Sequence, residues 1–137
     1  MRLTALLVVL LLLGCSSSTE PQPETPRGVS LTFLVDDYSN PDAFSISEKN
    51  GLVTVRGSYR VPQGGYMLRG LVSDSGHRHE LIVTAIAASP GFTIPAHFRY
   101  TAWLGPLDPG DHVVVVTNHY PLRDSSTVVL MDTVTVD

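Results

Sequence analysis

From residue 29 to the end of the chain, apolar and polar side chains alternate with a period of two, and this pattern most restricts the possible fold. A period of two sends successive side chains to opposite faces of a β-strand, whereas helices require a period near 3.6. No stretch has sustained helical periodicity, and turn residues recur roughly every 8 to 15 residues. The chain is therefore predicted to be all-β.

Turn chemistry divides this region into strands. Asn50-Gly51 marks a tight hairpin, because both residues accept a positive φ. Residues 73–76 read Ser-Asp-Ser-Gly and predict a second hairpin. The first strand is expected to bury one face, formed by Val29, Leu31, Phe33 and Val35.

The region 28–137 is long enough for one hydrophobic core and too short for two domains of usual size. Seven or eight strands fit into a region of this length, which predicts a single antiparallel β-sandwich. Nine side chains are expected to face inward: Val53, Val55, Leu68, Leu81, Val83, Phe98, Tyr100, Val114 and Val116.

A short segment suggests the kind of sandwich. Residues 107–116 (LDPGDHVVVV) resemble the L-x-P-G-x-Y-x-V-x-V corner of bacterial immunoglobulin-like domains, with His112 in the place of the tyrosine. This resemblance implies an immunoglobulin-like sandwich in which His112 holds the turn after Pro109. Residues 70–76 (GLVSDSG) also resemble the opening of the prealbumin-like domain of some carboxypeptidases, which we keep as a lesser alternative.

The first fourteen residues predict a signal peptide. Arg2 precedes an apolar run from Leu3 to Leu13, and this run is shorter than the ~20 residues that span a membrane. Residues 12–15 (LLGC) then resemble the lipobox of bacterial lipoproteins. The resemblance implies cleavage before Cys15, lipidation of its thiol and anchoring to a membrane. The alternative is a secreted protein that is cut after Gly14 and keeps a free thiol.

Residues 15–27 are expected to form the lipidated cysteine and a tether. After Cys15 the segment SSSTEPQPETPR has no aromatic or large aliphatic side chain, so nothing in it can be buried. At about 3.1 Å per residue, this proline-rich stretch could hold the domain up to about 37 Å from the lipid. By resemblance, Ser16 after the cysteine is compatible with the outer membrane of a Gram-negative organism.

Charge and motifs exclude several functions. The chain carries a net charge of −4 and has no basic stripe, which argues against a nucleic-acid partner. Cys15 is the only cysteine, so the domain must be stable without a disulfide. The sequence lacks a G-x-S-x-G elbow, a helix for H-E-x-x-H and a phosphate loop. We therefore predict no enzymatic activity and no cofactor.

Histidines are the most suggestive polar residues. His77 and His79 have the i, i+2 spacing of a pair on one side of a strand, and two imidazoles can bind zinc or copper. Two ligands make a weak site, and the hairpin end is polar in any case. We therefore predict no functional metal site there, and we expect His97 and His119 to point outward.

A binding surface is predicted around the only tryptophan. If Phe98 and Tyr100 face inward, strand alternation sends Trp103 outward, and Val113 and Val115 also point outward from the next strand. A joint apolar patch would suit a partner, provided that the two strands share a surface. The competing interpretation places Trp103 in the core.

Together these features predict an envelope lipoprotein with a non-catalytic sandwich that contacts another envelope protein or a glycan. The alternative is a periplasmic or surface lipoprotein that binds zinc or copper through His77 and His79.

Overall fold

A computed structural model describes residues 27–62, 65–88 and 95–137. The predicted signal peptide, Cys15 and the tether up to residue 26 lie outside these ranges. The strands are β1 (Arg27–Gly28), β2 (Ser30–Asp36), β3 (Ser45–Lys49), β4 (Leu52–Val61), β5 (Tyr66–Ser75), β6 (Arg78–Ala87), β7 (Ala96–Leu104), β8 (Gly110–Tyr120) and β9 (Ser125–Val136). A 3₁₀ helix, Pro121–Arg123, joins the last two strands.

The strands form two sheets, which confirms the predicted all-β sandwich. One sheet has the order β1-β5-β6-β8-β9 and the other β2-β7-β4-β3. Every pair is antiparallel except β6 and β8, which run parallel. The chain leaves β6, crosses to the other sheet as β7 and returns as β8. The chain reverses its direction from β6 to β7 and again from β7 to β8, so β8 runs parallel to β6. This parallel pairing was not expected from the sequence.

The nine predicted inward positions are all buried, each with 6% or less of its surface exposed, and they are confirmed as core. They come from β4 and β7 of one sheet and from β5, β6 and β8 of the other. These strands are flanked on both sides or covered by the opposite sheet, so their alternation translates directly into burial.

The prediction for β2 is wrong at two positions. Phe33 is 37% exposed and Val35 is 70% exposed, although Leu31 is partly buried against the core. The reason is that β2 is the edge of its sheet and has β7 as its one neighbour. In the opposite sheet the edge strand β1 has only two residues, Arg27–Gly28, so it does not extend far enough to cover Phe33 and Val35.

Glycine is required at two positions, one in a turn and one in a strand. Asn50 and Gly51 have φ values of 55° and 78°, and they join β3 to β4 in the predicted tight hairpin. A Cβ on Gly57 would lie 2.3 Å from the ring of Tyr100, so a glycine in β4 is needed for that ring to lie across the strand.

Strand directions define two ends of the sandwich. β1 and β2 begin at one end, which we call the tether end because the predicted tether precedes β1. β4 also begins there near Leu52, and β7 finishes there at Leu104. β4, β6 and β8 finish at the distal end, which carries Val61 and Tyr120. The chain thus enters the domain from the tether end. Among the described residues, no helix is long and apolar enough to cross a membrane.

Candidate functional site

A row of hydrogen-bonded side chains, Asp74, His79 and His112, lies at the tether end, and the His77 ring packs against His112 beside it. We call these four residues the histidine corner. His79 lies on the inner face of β6, in phase with Leu81, and is buried. Its Nδ1 is 2.7 Å from the Asp74 carboxylate, and its Nε2 is 2.9 Å from Nδ1 of His112. The row is therefore continuous from β5 through β6 to β8.

His112 closes this row against the chain that precedes β8. Its Nε2 lies 2.8 Å from the carbonyl oxygen of Asp108, four residues upstream. A tyrosine hydroxyl makes the comparable bond to the upstream backbone in the tyrosine corner of immunoglobulin domains. The predicted role of His112, holding the turn after Pro109, is confirmed.

The two candidate metal ligands are not paired on one side of a strand. β6 begins at Arg78, so His77 lies in the preceding turn and is exposed, whereas His79 is buried. Their rings lie against His112, with centroids 4.8 and 5.1 Å from it. All four ring nitrogens of His79 and His112 have hydrogen-bond partners. Within the described ranges no group of three or more His, Cys, Asp or Glu side chains is arranged to hold a metal ion.

The structure does not bring together the three predicted binding residues. Trp103 is half-buried on the outer face of β7, while Val113 and Val115 belong to β8 of the other sheet. The outer faces of two packed sheets point in opposite directions, so one joint patch is not formed. Val115 is also only 2% exposed.

Trp103 instead lines a cleft of about 370 Å³ beside the histidine corner. Asp74 and His79 contribute to the same cleft. No bulge turns the indole inward, because β7 stays in register with β4 as far as Leu104, which is buried. A role for Trp103 in partner binding stays a prediction.

A compact loop, residues 37–44, covers the outer face of the four-stranded sheet and buries His97 completely. The Nδ1 of His97 donates to the carbonyl oxygen of Asp37 over 2.9 Å. His97 does point away from the inter-sheet core as predicted, but this loop shields it from solvent. Hydrogen bonds from the backbone amide and the hydroxyl of Ser39 lower the pKa of Asp37.

Arg60 holds this loop to the sheet. Arg60 donates from Nε to the Asp42 carboxylate over 2.8 Å, and it also donates to the carbonyl oxygens of Tyr38 and Asn40. Its guanidinium lies 4.9 Å from the centroid of the Tyr38 ring. Asp42 is therefore paired with an arginine, and the loop has a structural role.

The distal end carries a second cleft, of about 400 Å³, which we call the tyrosine cleft. Its lining is unlike that of the cleft at the tether end, because it is dominated by aromatic, proline and arginine side chains. The described lining is Tyr38, Tyr59, Arg60, Val61, Pro62, Tyr66, Ala85, Tyr120, Pro121, Leu122, Arg123, Ser125 and Thr127.

Tyr59 forms the floor of the tyrosine cleft. It is buried, its hydroxyl donates to the carbonyl oxygen of His119, and it accepts the amide of Ala85 over 3.3 Å. Burial raises the pKa of Tyr59 to about 12. The ring packs on Tyr120 with centroids 4.9 Å apart.

The rim offers surface for a ligand. Tyr38 is exposed, and Tyr66 and Tyr120 are half-buried. The described lining has two arginines and no carboxylate, in a chain of net charge −4. Arg123 is exposed and forms no ion pair within the described part of the chain. The cleft can thus stack planar or ring-shaped groups and favours neutral or anionic ones.

The sequence pattern did not predict this cleft. Its tyrosines come from the loop after β2, the end of β4, the start of β5 and the end of β8. Each of them alone looks like an ordinary strand-end aromatic residue. The available signal was their shared position at strand ends, which becomes informative once the strand directions are known.

The fold places the chain among all-β sandwich proteins. Comparisons with protein-family models, with curated proteins and with solved structures found no match.

Proposed function

We propose that this protein is a membrane-anchored envelope lipoprotein whose sandwich is a non-catalytic binding module. The observation that carries the proposal is the run from Leu3 to Leu13, followed directly by the lipobox-like residues 12–15. Lipid on Cys15 would anchor the mature chain, since two or three acyl chains hold a protein stably where one holds only marginally. In a Gram-negative organism, Ser16 favours the outer membrane.

The direction of the chain supports a binding role for the tyrosine cleft. The tether joins the sandwich at β1, at the end opposite this cleft. The ten residues of β4 run between the two ends, a length of roughly 33 Å. An anchor on Cys15 would therefore leave the cleft free to face away from the lipid.

The cleft's chemistry favours a glycan as the ligand. Sugar rings pack their apolar faces on aromatic rings, and the cleft presents Tyr38, Tyr66 and Tyr120. The described lining contains neither histidine nor carboxylate, the groups that most often supply general acid or base catalysis. These features fit binding without turnover.

Replacing Cys15 with Ser tests the anchor. We expect the variant to lose incorporation of labelled fatty acid and to leave the membrane fraction. A Ser16→Ala variant, which keeps the acceptor thiol, is the matched control for lipidation. A Cys15→Ser protein that still partitions with membranes would refute the lipoprotein proposal.

Glycan binding is tested with soluble oligosaccharides of N-acetylated hexosamines and with peptidoglycan fragments. Tyr38→Ala should weaken binding about threefold to tenfold, because one stacking contact is lost. Leu52→Ala changes an exposed side chain at the opposite end of β4, outside the lining of the tyrosine cleft, and should leave the affinity unchanged. If the Tyr38→Ala variant bound equally well, or if the wild type did not bind, the glycan proposal would be wrong. A protein partner would then be the remaining candidate.

The metal-binding alternative rests on the proximity of His77, His79 and His112. A metal would have to displace the bonds of His79 to Asp74 and to His112, so we favour the structural role. Calorimetric binding of zinc tighter than micromolar, lost in His79→Ala, would reverse this choice.

A further inference from the structure

β2 is an unusual edge strand because it exposes three consecutive large apolar residues. Phe33 is 37%, Leu34 59% and Val35 70% exposed. An edge strand also presents unpaired backbone N–H and C=O groups along one side. A partner can complete both the hydrogen bonds and the apolar contacts by adding a strand.

The other described edges have features that discourage strand addition. β3 carries Glu48 and Lys49, and it lies beside β9, so these two edges shield each other. β9 carries Asp132, and its extra residue Val129 bulges it against β8. β1 has two residues. Charges, bulges and short length are the usual protections of an edge, and residues 30–35 of β2 have none of them.

We propose that a second copy of this chain pairs antiparallel with β2 and joins the two four-stranded sheets into one. A two-fold axis at Phe33 would place Phe33 opposite its own copy, Leu31 opposite Val35 and Thr32 opposite Leu34. Apolar pairs on the same face stabilise antiparallel strands, and a symmetric contact of this kind closes as a dimer.

Charge favours a second copy as the occupant. Residues 30–35 carry no charge, so the register opposes no like charges across the contact. Asp36, the one charged residue of β2, would lie opposite Ser30 and is already bonded to Arg99 of its own chain. The strand is thus complementary to itself.

The area of the contact determines how tightly the dimer is expected to associate. The contact uses one strand of each copy, which places it at the low end of interface areas, below roughly 1,200 Å². The dimer should therefore be weak and depend on concentration, with dissociation in the micromolar range.

Cysteine crosslinking tests the register in the mature chain carrying Cys15→Ser, which has no other thiol. Phe33→Cys should form a disulfide-linked dimer under mild oxidation, because position 33 meets itself. Val35→Cys should not, because the two copies of position 35 lie four residues apart in register, about 13 Å along the strands. Equal crosslinking at both positions would overturn the proposed pairing.

Phe33→Cys also removes a ring that packs edge-to-face on Phe98 at 5.6 Å, which could impair folding. A second pair of variants therefore keeps Phe33. Thr32→Cys and Leu34→Cys are both at exposed positions. When the two variants are mixed, the disulfide between position 32 and position 34 should form in excess over the 32–32 and 34–34 disulfides. An excess of like dimers would contradict the register even if Phe33→Cys fails to fold.

Sedimentation of the same Cys15→Ser chain tests association without crosslinking. Leu34→Lys should raise the dimer dissociation constant about tenfold or more, because it places a charge on the edge. Val128→Lys is a matched control, since Val128 and Leu34 are both 59% exposed on edge strands. A wild-type chain that stays monomeric at high concentration, or equal weakening by both variants, would refute the β2 dimer.

Discussion

His112→Ala distinguishes a structural histidine corner from a metal site. The substitution removes the bond to Nε2 of His79 and the bond to the Asp108 carbonyl oxygen. His79 is buried, so its ring nitrogen would be left without a partner, which costs about 1–3 kcal/mol. Asp108 is exposed and water can replace its lost bond. The lost packing of a buried ring adds about 1 kcal/mol or more.

We therefore expect His112→Ala to lower the free energy of unfolding by roughly 2–4 kcal/mol, a large part of the 5–15 kcal/mol of a typical domain. Urea unfolding of the Cys15→Ser chain, followed by circular dichroism, measures this loss. His77→Ala is the control, because His77 is exposed and its loss should stay within about 0.5 kcal/mol.

Two results would refute this reasoning. One is a loss below about 0.5 kcal/mol for His112→Ala, which would show that the row of bonds is not formed. The other is an equal loss for His77→Ala together with destabilisation of the wild type by EDTA. That pattern would mean that a metal holds the three imidazoles.

Three further predictions concern the core and the two clefts. Leu81→Ala should cost about 2–5 kcal/mol of unfolding free energy in urea, because Leu81 is fully buried, whereas exposed Val128→Ala should stay within about 0.5 kcal/mol. The pKa of Tyr59 is raised by burial to about 12, from an ordinary value of 10.0; its neutral form stabilises the fold below pH 10, and this contribution is lost as the pH rises from 10 to 12. Tyr59→Phe should flatten the fall in stability over that interval, and an unchanged pH profile would contradict the assignment. Trp103 is half-buried, so acrylamide should quench its fluorescence in part; a strongly blue-shifted emission without quenching would show that it lies in the core.

The sequence predicted the interior better than the surfaces. Val53, Val55 and Leu81 follow from alternation alone, because a central strand buries whatever lies on its inner face. The same alternation failed for Phe33 and Val35, since burial there depends on whether a second strand lies above the edge. Alternation describes which face a side chain takes and contains nothing about what covers that face.

The candidate sites show the same limit. His79 is in phase with Leu81, so the sequence contained the signal that it points inward. Its bond to His112, 33 residues away, depends on the parallel pairing of β6 and β8, which local pattern does not encode. The tyrosine cleft likewise brings together four tyrosines from four separate parts of the chain.

Taken alone, the sequence determined the strands, the tight turn at Asn50-Gly51 and the inner faces of the central strands. These features depend on backbone preferences and on side-chain spacing within a few residues. Tertiary structure decided which strands became edges, which sheet each outer face belongs to and which polar groups meet. Such choices depend on contacts between residues far apart in the chain, and the same alternating pattern is compatible with several arrangements of strands.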